Sequence, residues 1–161
     1  MSLSEELVEA WRTNNRINLF LIDAISPVGM KATLSKRGGR EVARQFAHLH
    51  DVRVHHLEKR AKDLSAGLET FQAKGAPKVI PSKARLKKSL TASAAAIEIF
   101  LGDVLAGRPK RRGFKKGIFT TLSYLVSHES HHRGSILLTL KESGYKLDNK
   151  TAYAIWAWDN I

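Results

Sequence analysis

Cysteine is absent from this 161-residue chain. That single absence removes disulfides, thiolate metal sites and a cysteine nucleophile together. No run reaches the roughly 18 consecutive apolar residues needed to span a bilayer. The opening MSLSEELVEAW carries acids where a secretion signal would carry bases, so the expectation is a cytoplasmic protein with no membrane segment. No convincing β pattern and no internal repeat interrupts the chain. Hydrophobic residues make up 43% of it, enough for a packed interior rather than disorder. The length fits a single domain over residues 1–161 built around one core.

Acids are outnumbered, and the formal net charge is +12. Such a balance invites a nucleic-acid or anionic-ligand reading. The bases concentrate in connections, however: LSKRGGR (34–40), PSKARLKK (81–88) and RPKRRGFKKG (108–117). Stacking aromatics are missing from these runs, where Phe114 stands alone. Solvated basic loops come first as an explanation, attraction to an acidic small molecule second, and nucleic-acid binding last.

What the chain does contain is four long helical patterns. The first runs from about Ser4 to Ile25, with Ser4-Glu5-Glu6 suited to a helix start. Leu7, Trp11, Ile22 and Ile25 share one face, and Asn14, Asn15 and Asn18 fall on that same face. Three amides in an apolar stripe point to a polar interior or a cavity lining. Amides satisfied by buried backbone or water fit as well. The second pattern runs from about Gly39 to Leu68, with Val42, Phe46, Leu49, Leu57 and Leu64 as its stripe. A Gly/Pro-bearing connection, AKGAPKVIP (73–81), follows. The third runs from about Ser82 to Ala106, and its TASAAA stretch (91–96) permits close helix approach. The fourth begins near Gly117 and ends at Gly144, placed as a C-terminal cap. A short aromatic tail closes the chain, in which Trp156 and Trp158 are expected to cover one end of the core. The expected architecture is all-α: a four-helix bundle with a long connection at 26–38 and a short C-terminal helical tail. Sites in such bundles are built from inward-pointing side chains on facing helices.

All seven histidines fall in two clusters, at 48, 50, 55 and 56 and at 128, 131 and 132. His128 and His132, four apart on a helix, project from one side one turn apart, the separation two ligands need to converge on one ion. His131 lies about 100° round from His132 and does not join them. Imidazole donors without thiolates suit zinc, nickel, copper or iron. The segment HESHH (128–132) also matches the H-E-x-x-H pattern of zinc peptidases. A metzincin would carry Gly and His where this chain has Ser135 and Leu138, and Glu142 still lies on the same helical pattern. The peptidase match is therefore accidental. Glu129 could act as a base only if it turned inward, and its more ordinary role is that of a solvated or supporting acid; Arg133 reads as structural, through a salt bridge, rather than catalytic. For a third ligand, Asp23, Glu98 and Asp103 fall off the apolar faces of their helices. On the second helix the periodicity favours His50 and leaves His48 well round from the stripe centre.

At these residues the chain resembles the DinB/YfiT-like superfamily of damage-inducible four-helix bundle proteins. The resemblance rests on EELVEAWRTNNRINL (5–19), REVARQFAHLHDVR (40–53), HESHHRGSILLTL (128–140) and IWAW (155–158). The His four residues before a His-Arg-Gly is its most specific part. Ser135 replaces the usual Gln and touches no ligand. The resemblance implies a three-histidine metal site, with nickel or zinc, and a homodimer. Its helix-2 pattern, Val-x-x-x-Φ-x-His with Φ apolar, falls on Val42, Phe46 and His48. The implied metal ligands are accordingly His48, His128 and His132, with His50 as the runner-up from periodicity. The implied activity is that of a metal-dependent thiol-transferase-like enzyme acting with a low-molecular-weight thiol. In that case Asn14, Asn15 and Asn18 would line the pocket and the basic loops would attract a carboxylated thiol. A non-catalytic metal-stapled module, for binding or for a stress response, is the alternative.

Overall fold

The computed structural model of the protein describes residues 1–72 and 79–161. Of the Gly/Pro-bearing connection, residues 73–78 lie outside the described residues. Four long helices form: α1 Leu3–Ala24, α2 Val42–Arg60, α3 Lys83–Leu105 and α4 Ile118–Glu142. A short α5, Asn149–Ala154, follows. Among the described residues there is no strand, only an isolated bridge between Phe114 and Gly117. No helix among the described residues is long and apolar enough to cross a membrane. The fold is all-α, as the helical periodicity predicts.

Local chemistry sets the ends of each helix. Ser2, two residues ahead of the expected start, caps α1: its hydroxyl accepts from the Glu5 N–H at 3.3 Å, and the Glu5 carboxylate accepts from the Ser2 N–H at 2.6 Å. This reciprocal box satisfies two N-terminal donors at once. Ser82 caps α3 and Asp148 caps α5 in the simpler way. The second helix is shorter than its stripe predicts. Gly38, Gly39 and Arg40 all have positive φ and delay its start to Val42. At the other end Ala61, with φ −159° and ψ 61°, leaves helical space, and a 3-10 turn at Lys62–Ser65 takes over. Leu64 therefore packs from that turn rather than from the helix. Gly144, with φ 82°, follows α4 in the left-handed conformation expected of a C-terminal cap.

The long helices close into a ring in the order α1, α3, α2, α4, with α1 across from α2 and α3 across from α4. The small-residue stretch of α3 faces this interior: Ser93, Ala94 and Ala96 are buried, and the Ala94 carbonyl accepts from the Trp11 indole N–H at 3.0 Å. Two apolar clusters fill the bundle. One gathers Ile22, Phe46, Leu49, Leu86, Leu90 and Leu140; the other gathers Trp11, Leu57, Ile97, Phe100, Leu101 and Leu125. Along each long helix, the residues between the two clusters are polar and buried: Asn14 and Asn18 on α1, Arg53 on α2, Ser93 on α3, Glu129 and Arg133 on α4. The core is two apolar plugs with a polar layer between them.

The aromatic tail departs from expectation. Trp156 is 69% exposed and Trp158 39%, whereas Ile155 is buried and Ile161 packs against the first cluster. The terminal turn is short, and the two aliphatic residues satisfy the available apolar surface, leaving the indoles outside. Trp156→Ala should accordingly change stability by no more than about 0.5 kcal/mol. Trp11→Ala, which empties a buried site and removes the indole's bond to the Ala94 carbonyl, should cost roughly 3–5 kcal/mol. Chemical denaturation of the two variants beside the parent chain checks this contrast.

Candidate metal centre

The polar layer supplies the frame of the site. Arg53, fully buried on α2, grips the Glu129 carboxylate on α4 through two parallel bonds, Nε to Oε1 at 2.7 Å and Nη2 to Oε2 at 2.9 Å. The third guanidinium nitrogen, Nη1, donates to Asn15 Oδ1 and to the Leu90 carbonyl, both at 2.9 Å. Asn14 and Asn18 each donate to Glu129 Oε2 at 2.7 Å. Their amide oxygens accept from Arg133 Nη1 at 2.9 and 3.0 Å. The face of Trp11 lies 4.7 Å from the Arg53 guanidinium carbon, within cation–π range. Burial alone would push the Glu129 carboxyl up, but the Arg53 charge and the donors from Arg53 and Asn18 outweigh it and hold it below 4.5. The three asparagines are therefore satisfied by side chains of this layer. They do not line a pocket, which overturns that expectation.

Glu129 and Arg133 each follow a histidine. With the two charges turned inward, His128 and His132 emerge about 100° away, toward α2, and there they meet His48. The ring centroids lie 5.4 Å apart for His48 and His128, 4.8 Å for His48 and His132, and 4.7 Å for His128 and His132. Each ring offers one nitrogen such that the three atoms lie within 4.8 Å of one another. All three side chains are half-buried, so this three-histidine group could hold a metal ion. Burial, then the positive charge each ring would impose on its neighbours, lowers the pKa of His128 and brings His132 down to about 4. Near neutral pH both rings keep a free lone pair, the form a metal requires. Tyr124 stacks on the outer side of His128 with an interplanar angle of 22°. On the other side the group opens onto a cleft of about 790 Å³ whose wall includes His48, His131, His132, Arg40, Arg44 and Gln45.

The other histidines are accounted for separately. His50, the choice of periodicity, is buried with both ring nitrogens engaged, 2.9 Å from the Ser89 carbonyl and 3.0 Å from that of Glu69. It fastens the segment after α2 to α3 and has no nitrogen left over. His56 is buried edge-on against Phe100 and Phe114. Its burial, reinforced by Arg60 and Lys59, lowers its pKa to about 4. His55 bonds the carbonyl of Asp51 in the preceding turn, and His131 is exposed on the cleft rim beside His132. Asp23 and Glu98 sit on the surface, paired with Lys87 and Arg12. Asp103 is buried, contrary to its position off the stripe, because Arg108 and Arg111 fold back onto it.

Of this frame, Arg53 escapes the reading of the sequence, and Glu129 takes the supporting place that reading allowed it rather than a solvated one. Arg53 lies four residues from Leu49 and four from Leu57, at the centre of the α2 stripe, and Glu129 lies four beyond Leu125 on the α4 stripe. Charges at those positions, facing the α1 asparagines, were the available signal. Glu129 is neither solvated nor peripheral. Arg133 is structural as expected, though through asparagine amides rather than a direct salt bridge.

A family model described as the DinB family matches residues 1–157. No curated protein and no solved structure matches the chain.

Falling pH should destabilise this protein over two overlapping ranges. His56, with its pKa lowered from 6.5 to about 4, stays neutral when folded but binds a proton when unfolded. Its contribution is thus lost as pH falls from 6.5 toward 4. Glu129, also depressed, loses its contribution below about 4.5. Denaturant titrations across pH should show His56→Phe with a flatter profile between 6.5 and 4.5 than the parent. Glu129→Ala, which strands the Arg53 charge, should cost roughly 3–5 kcal/mol already at pH 7.

Proposed function

The chain belongs to the DinB family, and from that premise we propose that His48, His128 and His132 bind a divalent transition metal, nickel or zinc. We read the site as serving a thiol-transferase-like reaction with a low-molecular-weight thiol. The observation that carries this is the convergence of three imidazoles from α2 and α4 beside an open cleft. The donor set suits the metal: nitrogen ligands match borderline ions such as nickel and zinc better than calcium or magnesium. A divalent ion held there supplies Lewis acidity that lowers the pKa of a thiol or water brought to it.

The remaining roles fall to the chain itself. The lowered pKa values of His128 and His132 keep both rings unprotonated. Glu129 and Arg133 hold α4 at the rotation that presents those rings to α2. The cleft along His48 and His132 leaves room for a small substrate. With no cysteine in the sequence, a nucleophilic sulfur would have to arrive with that substrate. The cytoplasmic location expected from the sequence also belongs to this proposal, and the homodimer rests on the family resemblance alone.

A purely structural role, in which a metal fastens α2 to α4, is the second reading. It draws support from the confinement of the group to those two helices. The open side of the histidine group favours the first reading, because a structural site is closed by four protein ligands. Elemental analysis of the purified, untagged protein decides whether a metal is held at all. About one nickel or zinc per chain is expected, and a His128→Ala/His132→Ala double variant should lose it. If the parent protein takes up neither metal after incubation with both, the proposal fails.

A further inference from the structure

The histidine group has a covered side as well as an open one. His48 and His132 border the cleft, whereas neither His128 nor Tyr124 does. There the Tyr124 ring lies along that of His128, with centroids 6.1 Å apart. Tyr124 stands one turn before His128 on α4 and is 44% exposed, so nothing in its burial alone keeps it against the imidazole. Phe114 does so: its ring meets that of Tyr124 at 5.1 Å and 67°, an edge-to-face contact in the range where aromatic pairs attract.

Phe114 belongs to the basic connection between α3 and α4, and that connection is tied down around it. Its N–H donates to Thr121 Oγ1 at 2.8 Å. Gly113 beside it leaves no room for a side chain, because a Cβ there would collide with the same oxygen. Arg60 donates to the Gly113 carbonyl at 2.7 Å and sets its guanidinium carbon 4.6 Å from the centre of the Phe114 ring. Arg111 reaches Asp63 at 2.8 Å and Asp103 at 3.1 Å, which holds a run of like charges in one shape. A relay of three rings, Phe114, Tyr124 and His128, thus joins an anchored loop to the histidine group.

We infer that Tyr124, braced by Phe114, is a positioning residue for His128: its ring holds the imidazole in one rotamer, turned toward His48 and His132, before any ion arrives. The effect on an ion rests on the metal reading above; the placement of the ring does not. A half-buried histidine on a helix shoulder has more than one staggered χ1 open to it. Ordering such a side chain on binding weakens affinity, and a ring already ordered spares that cost. The contact is made by the plane of the tyrosine ring and needs no hydroxyl.

Two measurements test this. On metal-free protein, NMR scalar couplings across the His128 Cα–Cβ bond should report one rotamer in the parent and in Tyr124→Phe, and rotamer averaging in Tyr124→Ala. Zinc affinity, from competition with a chromophoric chelator, should fall about ten-fold in Tyr124→Ala. Tyr124→Leu, which keeps an apolar side chain without a ring, should lose as much. Tyr124→Phe should stay within about two-fold of the parent, as should Phe119→Ala, which removes an exposed aromatic residue of the same helix outside the relay. A single His128 rotamer in Tyr124→Ala, unchanged zinc affinity in the Ala and Leu variants, or an equal loss in Tyr124→Phe overturns the inference. If the parent takes up no zinc, the metal reading falls by itself, and the couplings alone decide whether Tyr124 sets the ring.

Discussion

The buried pair of Arg53 and Glu129 is the contact on which the rest of the molecule depends. Its two bonds run from α2 to α4 across the interior. Spare donors and acceptors then draw in the other two long helices, through Asn14, Asn15 and Asn18 on α1 and the Leu90 carbonyl on α3. Taking two charges out of water is expensive, and apolar residues of the same volume can be as stable or more so. What the pair contributes is definition. An apolar stripe tolerates small rotations and slips of a helix, while a bidentate ion pair with its remaining valences filled admits one arrangement. Each half of the core can then pack against a fixed midplane.

That midplane also sets the phase of α4. Of the buried positions of this helix, Thr121, Leu125, Glu129, Arg133, Ile136 and Leu140 follow one another at three or four residues, with Thr139 beside the last. Were Glu129 to face solvent, the helix would turn by half a revolution and His128 and His132 would leave α2. Fixing Glu129 inward thus places the residue before it on the shoulder of the helix, where α2 brings His48. The histidine group is a consequence of the ion pair as much as of the histidines' own spacing.

The same geometry explains what could be read from the sequence. Helix number, approximate limits and most of the stripe residues follow from the spacing of apolar residues, because burial in a bundle is a matter of helical phase. Periodicity rewards the centre of a stripe, so on α2 it selects His50, which is indeed the more buried but is consumed by two backbone carbonyls. His48, which joins the histidine group, sits on the shoulder, half-buried, and no amphipathic pattern marks a shoulder. The family resemblance named His48 where physics of the single helix could not. The early end of α2 was illegible for a different reason: Leu64 keeps the apolar spacing through a 3-10 turn that the helix itself never reaches. The exposed tryptophans show the limit of composition, since aromatic residues at a chain end need not be the ones that find the core.

Charge ties the site to its cleft. The three histidines bring no negative charge to an ion, so a divalent cation there would keep its full formal charge, undiminished by a carboxylate ligand. The polar layer behind it holds two guanidiniums against one carboxylate, and the described cleft wall in front holds two more with no acid among its lining. Such surroundings work against a cation by long-range repulsion, which neutral imidazoles must overcome through bonding alone. They also favour an anion arriving from the cleft. The protein's net charge of +12 extends the same preference to long range, subject to screening by salt. Such surroundings suit an anionic partner arriving at the histidine group from the cleft.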